Sequence, residues 1–387
     1  MMCSRYVFLI AAILSYVILN ILIVLVFSTI NKTNLIRSGN FISSDRYPSA
    51  GKSNITVEIW GKASISLFLW EHILGGTLKV QNNGMIRTGS LRMGSMTLNF
   101  KYGPWFIQST VPTDVQHLIL VLNGRSEEKI VFAKHWLDYL PNYSRLKTLI
   151  VILLGNEQCD NNWIMKYMKS NSGKIDVLFT TYDSPLVDDK EFYQWPLGVA
   201  VYRGFRNFPI EDINVKDKRR YLCNFVGTIY KNSSRSKLRR IVDSATTNKR
   251  CPIIGRKTWL PKETQNSLDQ YKRTLEESDL TLCPVGQNAE CYRIYEALSV
   301  GSMPIIEDQT TLGSCDKNAF RLLKKYNPPF LFIKDWGQLP EIIRSEMALP
   351  QSAKKRRRSH ILKWYKEFKE SMKDSLINVL KSKMSGT

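Results

Sequence analysis

Short apolar runs and amphipathic stretches take turns from residue 221 to residue 347, and this alternation leaves the chain few architectures. Tyr221–Val226, Pro252–Ile254, Asp279–Leu282, Met303–Ile306 and Phe330–Ile333 read as strands. Ser234–Ser244, Asn266–Glu276, Ala289–Val300 and Gln338–Met347 read as the intervening helices. An earlier block repeats the pattern, with strands at Thr56–Trp60, His117–Leu122, Thr148–Leu154 and Lys174–Thr180. Its helices are Ser64–Leu74 and Ser126–Leu140, the second entered by a capping-type Ser and two Glu. Strand–helix–strand succession calls for parallel sheets covered on both faces. The expected fold class is therefore α/β, with two Rossmann-like domains facing a cleft, residues 55–215 and 216–349, joined near 196–220. Residues 75–112, rich in Gly, Asn, Ser and Met, fit neither period and read as a hairpin or a substrate loop. Beyond Pro350, residues 350–387 read as a closing helix, centred on Ser352–Lys381.

The amino terminus is of another kind. Tyr6–Asn31 holds 26 residues without a charge. As a helix it would be roughly 39 Å long, enough to cross a hydrocarbon core of about 30 Å. It is longer than the apolar core of a cleaved signal and lacks a small-x-small site. The reading is a membrane signal anchor with a five-residue cytosolic head, a polar stem over 32–54 and a lumenal body. Sequons at Asn31, Asn54, Asn142 and Asn232 suit that side of the membrane, although Asn31 lies too close to the bilayer. Cys3 falls on the cytosolic side. Cys159, Cys223, Cys251, Cys283, Cys291 and Cys315 remain, an even number whose pairing stays open.

The chain has 55 Lys and Arg against 34 Asp and Glu, a net charge of +21. Such a bias calls for anionic partners. A lumenal body never meets nucleic acid, which leaves anionic sugars, sugar phosphates and nucleotide sugars.

The stretch that carries chemistry is DLTLCPVGQNAECYRIYEALSVGSMPIIED, residues 279–308. A strand ends at Cys283-Pro284-Val285-Gly286 and a helix opens after it. Ligands of such sheets bind at the carboxyl ends of strands, and a helix N-terminus offers free N–H groups to phosphate. Arg293 then meets a diphosphate, and Glu296, on the same helix face, accepts from ribose hydroxyls. Tyr292 and Tyr295 are placed to flank a base. The plainer alternative pairs Arg293 with Glu296 and puts the tyrosines in the core. Gly227 and Thr228, ending the preceding strand, with Arg235 in the next helix, form a second candidate cradle; a solvated basic helix start is the alternative. No D-x-D triplet occurs, so no metal and no cofactor is expected, and leaving-group charge falls to Arg, Lys and helix dipole. Candidate bases from the first block are Asp183, Glu157 and Glu71, for each of which a cap or salt bridge is the plainer role. Lys354–Arg358 (KKRRR) is either an acidic-acceptor site or a solvated helix face.

Eight words occur in order: IWGKASISLFLWEHI, LILVLNGR, VILLGNEQCDNNWI, YDSPL, QWPLGVAVYR, YLCNFVGTIYKNSSR, LTLCPVGQNAECYRIYEA and FLFIKDWGQLP. Together they resemble the ribitol-5-phosphate xylosyltransferase family, placed near the exostosin-like transferases. The resemblance runs from about residue 55 to the C-terminus. It implies a GT-B-like, Golgi type II membrane protein with an N-terminal acceptor-side domain and a C-terminal nucleotide-sugar domain. It also implies inverting transfer of xylose from UDP-xylose to ribitol 5-phosphate on the O-mannosyl glycan of α-dystroglycan, with fukutin and fukutin-related protein as neighbours. The donor diphosphate and ribose then fall on Gly286–Glu296. Two other readings stand beside it: an exostosin-like transferase using another UDP-sugar, and a non-catalytic anchored binder of acidic glycan.

Overall fold

A computed structural model describes residues 55–207, 218–244, 250–256, 258, 264–311, 313, 315 and 319–385. The apolar span Tyr6–Asn31, the stem and Asn54 lie outside the described residues. Among those described, no helix is long and apolar enough to cross a membrane.

The first block forms one sheet from Ile55–Gly61 (β1), Lys79–Gln81 (β2), Ile86–Met93 (β3), Met96–Tyr102 (β4), His117–Asn123 (β5), Thr148–Leu154 (β6), Val177–Thr180 (β7) and Phe192–Gln194 (β8). Its order is β2-β3-β4-β1-β5-β6-β7-β8. The strands from β4 to β8 in that order are parallel, and β3 is antiparallel to both neighbours. Residues 75–112 thus hold a hairpin that widens the sheet. Side chains of a strand alternate between faces. Ile150, Ile152 and Leu154 of β6 accordingly enter one core, and Leu149, Val151 and Leu153 the other. Every residue of β6 is buried, as a central parallel strand requires.

The second block forms a wholly parallel sheet from Tyr221–Thr228 (β9), Ile253–Arg256 (β10), Ser278–Cys283 (β11), Met303–Glu307 (β12) and Leu331–Ile333 (β13), in the order β10-β9-β11-β12-β13. The chain leaves β9 for one edge and β11 for the other. The switch point, where the crevice of such sheets lies, is between β9 and β11.

Helices cover the sheets: Glu127–Asp138 (α1), Ser234–Asp243 (α2), Gln265–Glu276 (α3), Tyr292–Ser299 (α4), Arg321–Lys325 (α5), Leu339–Ala348 (α6) and Gln351–Ser385 (α7). Two expectations are corrected. Ser126 precedes α1 but makes no side-chain cap bond. Ser64–Leu74 is not one α-helix: a single turn, Ile65–Leu67, passes into a π-helix, Phe68–Ile73. Tertiary contacts favour the wider turn. Trp70 stacks on Phe100 with ring centroids 4.9 Å apart and donates to Thr77 O at 2.9 Å. Periodicity alone does not reveal such a bulge.

The closing helix α7 has 35 residues, about 52 Å at 1.5 Å per residue. It buries Ile361, Tyr365, Phe368, Met372, Leu376 and Leu380 at three- and four-residue steps. It packs on α4 of the second block and on the π-helix and β6 of the first. Both blocks therefore share one core through this helix.

Two disulfides form, Cys223–Cys251 and Cys159–Cys315, leaving Cys283 and Cys291 as thiols. The second ties the loop after β6 to the loop after β12, across 156 residues of sequence. Replacing both cysteines by Ser is expected to cost roughly 2–5 kcal/mol, because the unfolded chain regains the entropy of a long open loop. A denaturant midpoint unchanged from wild type would contradict this.

Candidate active site

The carboxyl ends of both sheets open on one cleft of about 420 Å³. From the first sheet come Arg125 after β5, Glu157 after β6 and Tyr182 after β7. From the second come Gly227 and Thr228 at the end of β9, and Gly286–Glu296 after β11. All seven residues expected at a donor site line this cleft: Gly227, Thr228, Arg235, Gly286, Tyr292, Arg293 and Glu296.

Its centre is a pair of guanidinium groups, Arg293 buried and Arg235 half-buried. Arg293, in the first turn of α4, lies over the Phe225 ring at 4.5 Å and donates from Nη2 to Val226 O at 2.9 Å. Arg235, in the first turn of α2, donates from Nη1 to Thr228 O at 2.9 Å. The glycines make room for them. A Cβ on Gly227 would stand 2.6 Å from Arg293 Nη2, and one on Gly286 would overlap Arg235 Nη2. Neither arginine has a carboxylate partner among the described residues, so the Arg293–Glu296 pair does not form. Nε of each is buried without a hydrogen bond there. Burial, and then the neighbouring Arg293, lower the pKa of Arg235. Two crowded, desolvated cations with unspent N–H groups are stabilised by an anion that binds between them.

The rest of the cleft keeps that sign, with Arg125, Arg203 and Arg256 also on its wall. Its three carboxylates are engaged. Glu157 pairs with Arg125. Glu296 accepts from Tyr271 OH on one oxygen and from Ala200 N–H on the other, at 3.4 Å, and burial raises its pKa. Each of these oxygens retains a second lone pair for a ligand hydroxyl. Glu290 uses Oε1 alone, for Leu197 N–H at 2.9 Å and Tyr295 OH at 2.5 Å.

Several expectations change. Tyr292 lines the cleft, edge-on to Tyr202 at 6.3 Å, but Tyr295 is a core residue bound to Glu290. The helix expected from Ala289 starts at Tyr292, because Asn288–Cys291 is a loop, bent at Asn288 and Ala289 and pinned by its own contacts. Asn288 Nδ2 donates to Glu157 O at 2.7 Å, and Ala289 N to Thr311 Oγ1 at 2.8 Å. Ser233, Ser234 and Lys237, which open α2 beside Arg235, do not line the cleft. Ser233 caps α2, Ser234 binds Glu307 and Lys237 binds Asp335. Asp183 lies outside the main cleft, in a small adjoining recess, and pairs with Arg321 at 2.5 Å. Glu71 sits in the π-helix, away from the cleft, with burial raising its pKa. Asn142 and Asn232 are exposed.

The KKRRR run divides: Lys355 and Arg356 are exposed, as a solvated helix face would be, and the rest turn inward. Lys354 is 2% exposed and Arg358 0%. Arg358 donates to Asp279 at 2.5 Å, Lys354 lies 3.5 Å from Asp279 and 3.6 Å from Glu346, and Arg357 grips Glu346 with two bonds. Lys354, Arg357 and Arg358 thus tie α7 to β11 and α6, and only Lys355 and Arg356 of the run face outward.

Sequence reading missed Arg125 and Glu290. Arg125 follows the carboxyl end of β5, so the strand-end rule applied to the first sheet would have found it. Glu290 carried no signal, since its role depends on a contact with Leu197, 93 positions away.

Comparison with known proteins gives two family matches. Residues 57–196 match the RXYLT1 N-terminal domain and residues 202–385 the RXYLT1 C-terminal domain. A Danio rerio protein named ribitol-5-phosphate xylosyltransferase 1 is 47% identical over 84% of this chain and 76% of its own length. The Homo sapiens protein of that name is 44% identical over 86% and 77%. A crystal structure of an alpha1,3-fucosyltransferase aligns with 82% of this chain and 84% of its own, at 12% identity and a TM-score of 0.38.

Proposed function

From the fact that this chain belongs to the ribitol-5-phosphate xylosyltransferase family, we propose that it transfers xylose from UDP-xylose to ribitol 5-phosphate. The observation that carries the donor half is the Arg235–Arg293 pair, one half-buried and one buried cation without a carboxylate partner among the described residues, at the switch point of a parallel sheet. A nucleoside diphosphate supplies the anion they lack. As the bond from xylose C1 to the diphosphate breaks, charge grows on the leaving oxygen, and fixed guanidinium groups in a dry site stabilise it at little reorganisation cost. Glu296, already oriented by Tyr271 and Ala200, is the ribose acceptor. Direct displacement on an α-linked donor gives a β-linked product, so the reaction inverts and needs one base. The acceptor is the ribitol phosphate of the α-dystroglycan O-mannosyl glycan, and fukutin and fukutin-related protein, which add that phosphate, are the expected neighbours. Two disulfides support an oxidising, Golgi-lumenal setting for a body anchored through Tyr6–Asn31.

The test is transfer by the purified chain to a ribitol-5-phosphate glycopeptide from a panel of UDP-sugars, with and without EDTA. Xylose transfer that survives EDTA is expected. Transfer of a different sugar replaces the donor assignment and points to the exostosin-like reading, and glycopeptide binding without transfer points to a binder.

A further inference from the structure

We infer that Glu290 is the general base that takes the proton from the acceptor hydroxyl. The inference rests on the transferase reading above and goes beyond it by naming the second catalytic group. Three observations carry it. Glu290 lies on the wall of the donor cleft and also borders the recess that holds Asp183. Its Oε1 is fixed from two sides, by Leu197 N–H of the first block and Tyr295 OH of α4, and Oε2 has no hydrogen-bond partner among the described residues. Oε2 is not sealed in the core, and the residue lines both the cleft and the recess beside it. The other carboxylates are occupied otherwise: Glu157 by Arg125, Asp183 by Arg321, and Glu296 by donors on both oxygens.

The step balances without any further reactant. The acceptor O–H gives its proton to Glu290 Oε2, and the oxygen forms a bond to xylose C1. The bond from C1 to the diphosphate oxygen breaks, and UDP leaves with that electron pair between Arg235 and Arg293. Glu290 then releases the proton to solvent.

The environment suits the task. Burial raises the Glu290 pKa to about 7, against the opposing hydrogen bonds from Tyr295 and Leu197. Cys291 and Asp183 raise it further, and Tyr182 also faces it. A base with a pKa near the working pH is the efficient one. The ionised form is thus needed for activity, so the rate falls as pH drops through about 7.

Two variants of the full chain test this. Glu290→Gln keeps both Oε1 bonds and is expected to lose at least about 100-fold in kcat, with the dissociation constant for UDP within about threefold of wild type. Its activity should also lose the acidic limb of the pH profile. Tyr295→Phe removes a bond that lowers the Glu290 pKa, so it should move that limb to higher pH; this variant decides the question if Glu290→Gln does not fold. A Glu290→Gln enzyme within about fivefold of wild type, one that no longer binds UDP, or a limb that Tyr295→Phe leaves in place overturns the assignment. Wild-type chain that binds UDP but transfers no sugar sinks the transferase reading instead, a distinguishable failure.

Discussion

Arg293→Ala is expected to lower xylosyl transfer by about 10²–10³-fold, the effect of removing one preorganised donor from a developing oxyanion. Loss should appear in kcat and again in affinity for UDP, because the group meets the diphosphate before and during bond breaking. Arg293→Lys should recover little. A guanidinium over the Phe225 ring, 4.5 Å from its centroid, spends one N–H on Val226 O and keeps others in a fixed fork. An ammonium lacks both the plane and the fork. The structural share of the loss is separable. UDP raises the melting temperature of a protein that binds it, so wild type should be stabilised by UDP and Arg293→Ala should not. Turnover within threefold of wild type would show that the diphosphate lies elsewhere.

Asp279→Ala is the largest expected change in stability, about 3–5 kcal/mol, since it removes the carboxylate that the buried Arg358 and Lys354 share. Asp279 accepts from Arg358 and faces Lys354, both buried in α7, while Arg219 is held nearby on the Ser278 and Val300 carbonyls. Removing the carboxylate leaves Arg358 and Lys354 with Glu346 as the remaining anion of the tie, and Arg357 already grips it. In the same run Lys355 and Arg356 are exposed. Replacing either by Ala should cost within about 0.5 kcal/mol. Chemical denaturation of the three variants checks the contrast. Equal midpoints would mean that the tie contributes nothing to folding.

This contrast shows where sequence reading reached its limit. Five consecutive basic residues look alike in one dimension. On a helix they point in different directions, and which of them are buried depends on where Asp279 and Glu346 arrive from elsewhere in the chain. The cleft residues were legible for the opposite reason. Gly227, Gly286, Arg235, Arg293 and Glu296 are local to strand ends and helix starts, and the rule that ligands sit at the carboxyl ends of parallel strands requires no tertiary knowledge. Within the first block, β1, β5 and β6 followed from apolar runs, whereas the π-helix over Phe68–Ile73 depends on Trp70 meeting Phe100.

The sequence by itself determined the α/β class, the parallel strands at the heart of both sheets and the strand-end segment that lines the cleft. Hydrophobic period and strand-end chemistry are written in neighbouring residues. Tertiary structure alone decided which cysteines pair, which cations are buried, and which carboxylate keeps an oxygen for the cleft. Each of these is set by groups far apart in the chain: Cys159 with Cys315, Asp279 with Arg358, and Glu290 with Leu197. A charge or a thiol takes its role from the partner and the burial it meets, and both exist only once the two sheets and the long C-terminal helix have closed around it.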